Sequence, residues 1–226
     1  MLMSDIPVSD FIGLAWFLLL WTGYTWYADR GARRRQSLRA VMHGHRYAWM
    51  KQMLARDNRV MDVNILRNLL QGVAFFASTT LLILAGLVTV LGSTDRAISL
   101  IHGLPFASHM TLMQWELRLL VLVVIFVHAF FKLTWALRQF NYCSVLIGAA
   151  PPVADDSYAL RAAEIATLAF KDFNQALRAY YFSLATLGWF VSPWVFMAAA
   201  SLVMAVLYWR EYHSRAMRSL NFTSPV

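Results

Sequence analysis

"NILRNLLQGVAFFASTTLLILAGLVTVL", residues Asn64 to Leu91, decides the fold. From Val73 onward it is apolar over nearly the ~20 residues a helix needs to cross a hydrocarbon layer. Yet Asn64, Arg67, Asn68 and Gln71 open it, and Ser78, Thr79 and Thr80 stand near its centre. At ~100° per residue, Asn64, Asn68, Gln71, Phe75, Ser78, Leu82, Gly86 and Thr89 fall on one narrow stripe. Small residues let helices approach closely in lipid, and Asn, Gln, Ser and Thr hydrogen-bond across such contacts. The stripe therefore reads either as packing within one subunit or as a wet or subunit-facing seam. The hydroxyls of Ser78 and Thr79 have a third outlet, their own helix backbone.

The rest of the chain is of the same character. Its 226 residues are 59% hydrophobic and only 14% charged, with a mean hydropathy of +0.51, a composition that excludes an ordinary soluble domain of this length. Apolar runs predict four transmembrane helices, near residues 8–28, 73–91, 117–137 and 183–209. The fourth is read as a single span kinked at Pro193. Two further segments have helical amphipathic patterns, 36–58 and 156–178. In the first, Leu38, Met42, Trp49 and Met53 gather on one side while Arg39, His43, Arg46 and Arg56 flank or oppose them, as in a basic helix lying on a membrane surface. In the second, Arg161, Glu164, Lys171, Asp172, Gln175 and Arg178 share a face. The expected fold is all-α, an integral membrane protein of one domain, residues 1–226, with two amphipathic helices on the cytoplasmic side.

Orientation follows from charge. No Lys or Arg precedes the first run, so it lacks the basic flank of a cleaved signal and is expected to stay as an anchor. Ten of the twenty basic residues lie between Asp29 and Arg67, which the positive-inside rule assigns to the cytoplasm and so puts the N-terminus outside. Four spans then carry the basic tail "WREYHSRAMR" to the outside, against the rule; two half-helices folded back at Pro193 return it to the cytoplasm. The net charge of +8 sits beside a span with no nucleic-acid motif near it. Anionic lipid is the expected partner, with Arg33, Arg34, Arg35 and Arg39 as candidate head-group contacts. The single cysteine, Cys143, excludes an intramolecular disulfide and a multi-cysteine zinc site.

A second stripe runs along the third span: Arg118, Val121, Ile125, His128, Lys132, Trp135 and Gln139. Charge inside a span is a functional candidate by default. Arg118 lies toward one end of its run and reads as snorkelling. His128 and Lys132 lie deeper and are candidates for a pore lining, together with Gln139. Asp172 is the candidate structural ion-pair partner of Lys132, because "KDFN" approaches the fourth span from the same side. No catalytic motif, metal set or glycine-rich phosphate cradle occurs. No catalytic residue, metal or cofactor is expected.

"ILRNLLQGVAFFASTTLLILAGL" (65–87), "WALRQFNYCSVLIGAAP" (135–151), "DFNQALRAYYFSLATLGWF" (172–190) and "LYWREYHSR" (207–215) resemble a family of bacterial multi-pass membrane proteins with plant relatives, catalogued as domain of unknown function five hundred and ninety-nine. The resemblance implies a four-helix protein of the bacterial inner membrane and supplies no activity. Three function classes follow from the residues. The first is a homo-oligomeric channel or transporter for an ion or small solute, because four helices enclose little space and polar stripes between subunits would line a conduit. The second is a non-conducting accessory or assembly protein that binds a membrane partner or anionic lipid. A lipid-modifying enzyme comes third, without a nucleophile or metal set behind it.

Overall fold

The computed structural model describes residues 7–31, 38–93, 111–151 and 155–213, together with 215 and 219. The expected head-group residues Arg33, Arg34 and Arg35 lie outside the described residues. The described residues are all-helical: α1 (Val8–Gly31), α2 (Leu38–Leu54), α3 (Val60–Gly92), α4 (Leu112–Gly148), α5 (Asp156–Thr186), a short 3-10 turn (Leu187–Phe190) and α6 (Pro193–His213). Four of them, α1, α3, α4 and α6, are long and apolar enough to cross a membrane. The protein is an integral membrane protein. At 1.5 Å per residue, the 33 residues of α3 and 37 of α4 overrun a ~30 Å hydrocarbon core, so the apolar run 73–91 is the C-terminal part of a longer helix and the run 117–137 lies inside one.

Local signals set the helix ends. Asn58 accepts a hydrogen bond from the Val60 amide at 2.9 Å, before α3. Thr111 and Gln114 bond each other's backbone amides in a reciprocal capping box before α4. Asp155 receives the Tyr158 amide and the Ser157 hydroxyl before α5. The guanidinium of Arg59 donates to the carbonyls of Ile147 and Ala150, placing a cation on the carbonyl-rich end of α4.

The expected span 183–209 is not one helix. Ser183 to Thr186 are the last residues of α5, which runs unbroken from Asp156, and the amphipathic segment 156–178 is the greater part of that same helix. The chain then makes the 3-10 turn. Ser192 caps a new helix by accepting the Val195 amide at 3.2 Å, and Pro193 takes the first helical position, where its missing N–H costs nothing. A Cβ on Gly188 would come 3.1 Å from Val195 Cγ1 and 3.3 Å from its backbone, so glycine is what lets the turn close onto α6. Phe17 shows the reversal: its ring meets Phe182 of α5 at 5.7 Å and Phe196 of α6 at 5.1 Å.

Two compact units divide the chain. The first comprises Met1–Tyr27, Thr79–Phe130 and Leu177–Leu207. Its core contains Phe17, Phe182, Trp189 and Phe196, all fully buried, and a second cluster of Trp115, Leu119, Leu122 and Phe126 against the apolar side of α3. The second comprises Ala28–Ser78, Phe131–Ala176 and Tyr208–Val226. Here α5 offers a row of fully buried alanines, 159, 162, 163, 166, 169 and 176, beside Phe140, Cys143 and Ile147 of α4.

Among the described residues, thirteen of fifteen basic residues fall in the second unit, against eight of ten acids. The tail belongs there too: Glu211 lies 3.7 Å from Arg39. The expectation that four spans carry the tail away from the basic connection is therefore overturned, and the physical cause is the reversal ahead of Pro193.

Candidate functional site

Helix α2 turns a different face inward from the one its pattern suggests. Arg46, Met50 and Met53 are its buried residues, whereas Met42 is exposed. Arg46, expected to flank or oppose the apolar side, is only 8% exposed. Its Nε donates to Thr167 Oγ1 at 2.9 Å, and its guanidinium lies over the Phe170 ring at 5.1 Å. Neighbouring contacts fix the helix: Trp49 and Arg56 both donate to the fully buried Asp62, at 2.7 and 2.6 Å. Lys51 pairs with Asp156 at 2.9 Å, and that hydrogen bond raises the Lys51 pKa.

Beside Arg46 opens a cavity of about 850 Å³, walled by α2, α5 and the ends of α1 and α6. Arg39, one of the expected head-group contacts, lines it and pairs with Asp29 at 2.7 Å. Asp29 also receives the side-chain amide of Gln175, and Lys171 approaches it at 3.9 Å. Gln175 is buried on the polar side of the α5 wheel because it has this carboxylate to meet. Arg46 differs from these groups. No carboxylate pairs with it among the described residues; burial and the like charge of Arg39 lower its pKa to about 10, which leaves it charged at neutral pH.

The pore and pair candidates of α4 are engaged. Lys132 Nζ lies 3.0 Å from Asp172 Oδ1, and Gln139 Nε2 donates to the other oxygen of Asp172 at 2.9 Å. His128 is exposed and meets the Trp21 ring edge-on at 5.4 Å. Arg118 does not snorkel. It is buried, and its Nη2 donates to both oxygens of Asp10, at 3.1 and 3.3 Å. Trp189 Nε1 donates to the same carboxylate at 2.7 Å, and the Arg118 guanidinium sits 5.6 Å from the Trp189 ring centre. A lone acid early in the first span and a lone base early in the third were the available signal, since opposite charges in lipid seek each other. Nothing comparable in the sequence marks Trp189.

Helix α3 behaves differently. Every residue of its stripe, Asn64, Asn68, Gln71, Phe75, Ser78, Leu82, Gly86 and Thr89, is exposed, while Thr79 is half-buried. Phe75 is 67% and Leu82 75% exposed, so no other described helix packs on this face. Thr89 bonds the Ala85 carbonyl of its own helix. Asn64, Asn68 and Gln71 have no hydrogen-bond partner among the described residues. No group of His, Cys, Asp or Glu capable of holding a metal occurs among the described residues.

The family described as "Protein of unknown function, DUF599" matches residues 12–216. No curated protein and no solved structure matches the chain.

Proposed function

We propose, for a chain that belongs to the DUF599 family, the role of a self-associating, non-conducting accessory protein of the bacterial inner membrane, whose copies meet along α3. The observation that carries this reading is the outward stripe of α3. Unpartnered amides near a hydrocarbon layer are costly, and a second copy presenting the same Asn and Gln side chains satisfies them across a two-fold axis. Against a conduit stand the cations of α4: Lys132 and Arg118 each have a carboxylate of the same chain, so neither is left to form a basic ring. The second reading, a channel or transporter formed between subunits, draws on the same polar stripe as a wet lining.

Gly86→Leu, which fills the close approach, and Gln71→Leu, which removes an interhelical hydrogen bond worth about 1 kcal/mol, are expected to shift the oligomer in detergent toward the monomer, measured by light scattering. Wild-type mass in both variants would sink the α3 interface. Liposomes carrying the wild-type protein should retain their ions under every voltage and pH tested; a protein-dependent leak would favour the channel instead.

The same proposal sets an orientation. The basic connection after α1 and the tail after α6 face the cytoplasm and the N-terminus faces outside, in keeping with the positive-inside rule; beside the four apolar spans this takes a fifth crossing, made by the 31-residue α5. In intact spheroplasts a membrane-impermeant thiol reagent should label Ser93→Cys and miss both Asp57→Cys and Ser219→Cys. The buried native Cys143 leaves the background low. Labelling of Ser219→Cys but not Asp57→Cys would return the tail to the opposite side.

A further inference from the structure

We propose that the cavity between α2 and α5 binds a phosphate-bearing anion, with Arg46 as the counter-charge at its wall and Arg39, His43 and Lys171 completing the basic surround. The inference is independent of self-association along α3. It starts from an imbalance. An arginine that is 8% exposed as a residue carries a charge with little access to bulk water, and such a group is retained in proteins when an opposite charge or several hydrogen bonds compensate it. Arg46 spends Nε on Thr167 and lies over the Phe170 ring; among the described residues no carboxylate answers it. Its terminal nitrogens form a planar fork of the kind that receives phosphate oxygens two at a time.

Three carboxylates line the same cavity and would oppose an anion, so their engagements matter. Asp29 is held by Arg39, Lys171 and Gln175. Glu211 faces Arg39 at 3.7 Å. Glu164 is exposed on α5. Arg39, Arg46 and Lys171 thus face three acids, with His43 beside them, and of the three cations Arg46 is the one with no acidic partner among the described residues. The cavity also carries apolar side chains: Met42 is 36% and Leu168 46% exposed. A free phosphate has no use for them. An anionic phospholipid does, because its acyl chains cover what its head group leaves bare.

The full-length protein, purified in detergent, tests this by thermal unfolding with three additions: phosphatidylglycerol, inorganic phosphate, and a diacylglycerol that carries the same chains without phosphate. Phosphatidylglycerol should raise the midpoint saturably and diacylglycerol should not. Arg46→Gln should weaken the apparent affinity at least about tenfold, the factor that corresponds to one charge-assisted contact. Lys171→Glu serves as a second variant. Its side chain is 47% exposed, so solvent screens the new carboxylate from Asp29, which keeps Arg39 and Gln175; with a carboxylate in the basic surround it should weaken binding as Arg46→Gln does. Lys51→Gln, outside the cavity, should leave the shift unchanged. An equal, Arg46-dependent shift with inorganic phosphate upholds the site and assigns it to a soluble phosphate. A shift that survives both Arg46→Gln and Lys171→Glu, or no shift with either phosphate source, overturns it.

Discussion

Replacing Arg118 by Met should cost the fold about 3–5 kcal/mol, the range for removing one partner of a buried ion pair. Asp10 and Arg118 have side chains only 2% and 5% exposed, so water does not compensate the group left behind. Trp189 would still donate to Asp10, but one neutral donor does not balance a full charge. The loss should appear as a lower unfolding midpoint in detergent and as faster proteolysis near the α5–α6 turn, because Trp189 stacks on Phe196 at 4.7 Å and leans on the same carboxylate. The double variant Asp10→Asn with Arg118→Met removes both charges and should recover most of the loss. If the double variant is no more stable than the single one, the pair does not act as a charge pair.

The second large effect belongs to Lys132. Lys132→Glu would set two carboxylates where an ion pair now stands 3.0 Å apart, with Gln139 as the remaining donor to Asp172. The side chains are 28% and 14% exposed, so solvent screens part of the repulsion and about 1–3 kcal/mol is the expected cost. The exchanged pair, Lys132→Glu with Asp172→Lys, should regain part of it in a double-mutant cycle. Equal damage in the single and exchanged variants would mean that Lys132 acts through packing of its stem and not through charge. If reconstituted wild-type protein proved conductive, reversal potentials of Lys132→Glu would show whether this residue sets ion preference.

Sequence reading and structure part company for identifiable reasons. The four apolar helices are legible because length and hydropathy speak directly to the thickness of a bilayer. The continuation of α5 to Thr186 is not. A helix that packs through alanines carries little hydropathy of its own, so its end merges with the apolar run that follows, and Pro193 reads as a kink when it is the start of a new helix. Arg46 was misplaced because a hydropathy wheel treats every cation as outward-facing, whereas here Thr167 and the Phe170 ring receive it. The outward orientation of the α3 stripe was undecidable in the sequence, since Asn, Gln, Ser and Gly serve both inner and outer helix contacts. Only the absence of packing on that side resolves it.

The alanine row of α5 also bears on which parts of this chain are free to vary. Six alanines with no exposed surface set the spacing of α5 from its neighbours, and a larger side chain at any of them has no void to enter, so it forces the backbones apart at a cost of about 1–3 kcal/mol. On the outer side of α3 the reverse holds: Gly72 and Gly86 have nothing within 4 Å of where a Cβ would stand. The least hydrophobic of the long helices is thus the one whose sequence has least room to drift, and the most hydrophobic one is constrained within a single chain only on its inner side. Among the described residues nothing restricts the outer side of α3, and a second copy packed along it would.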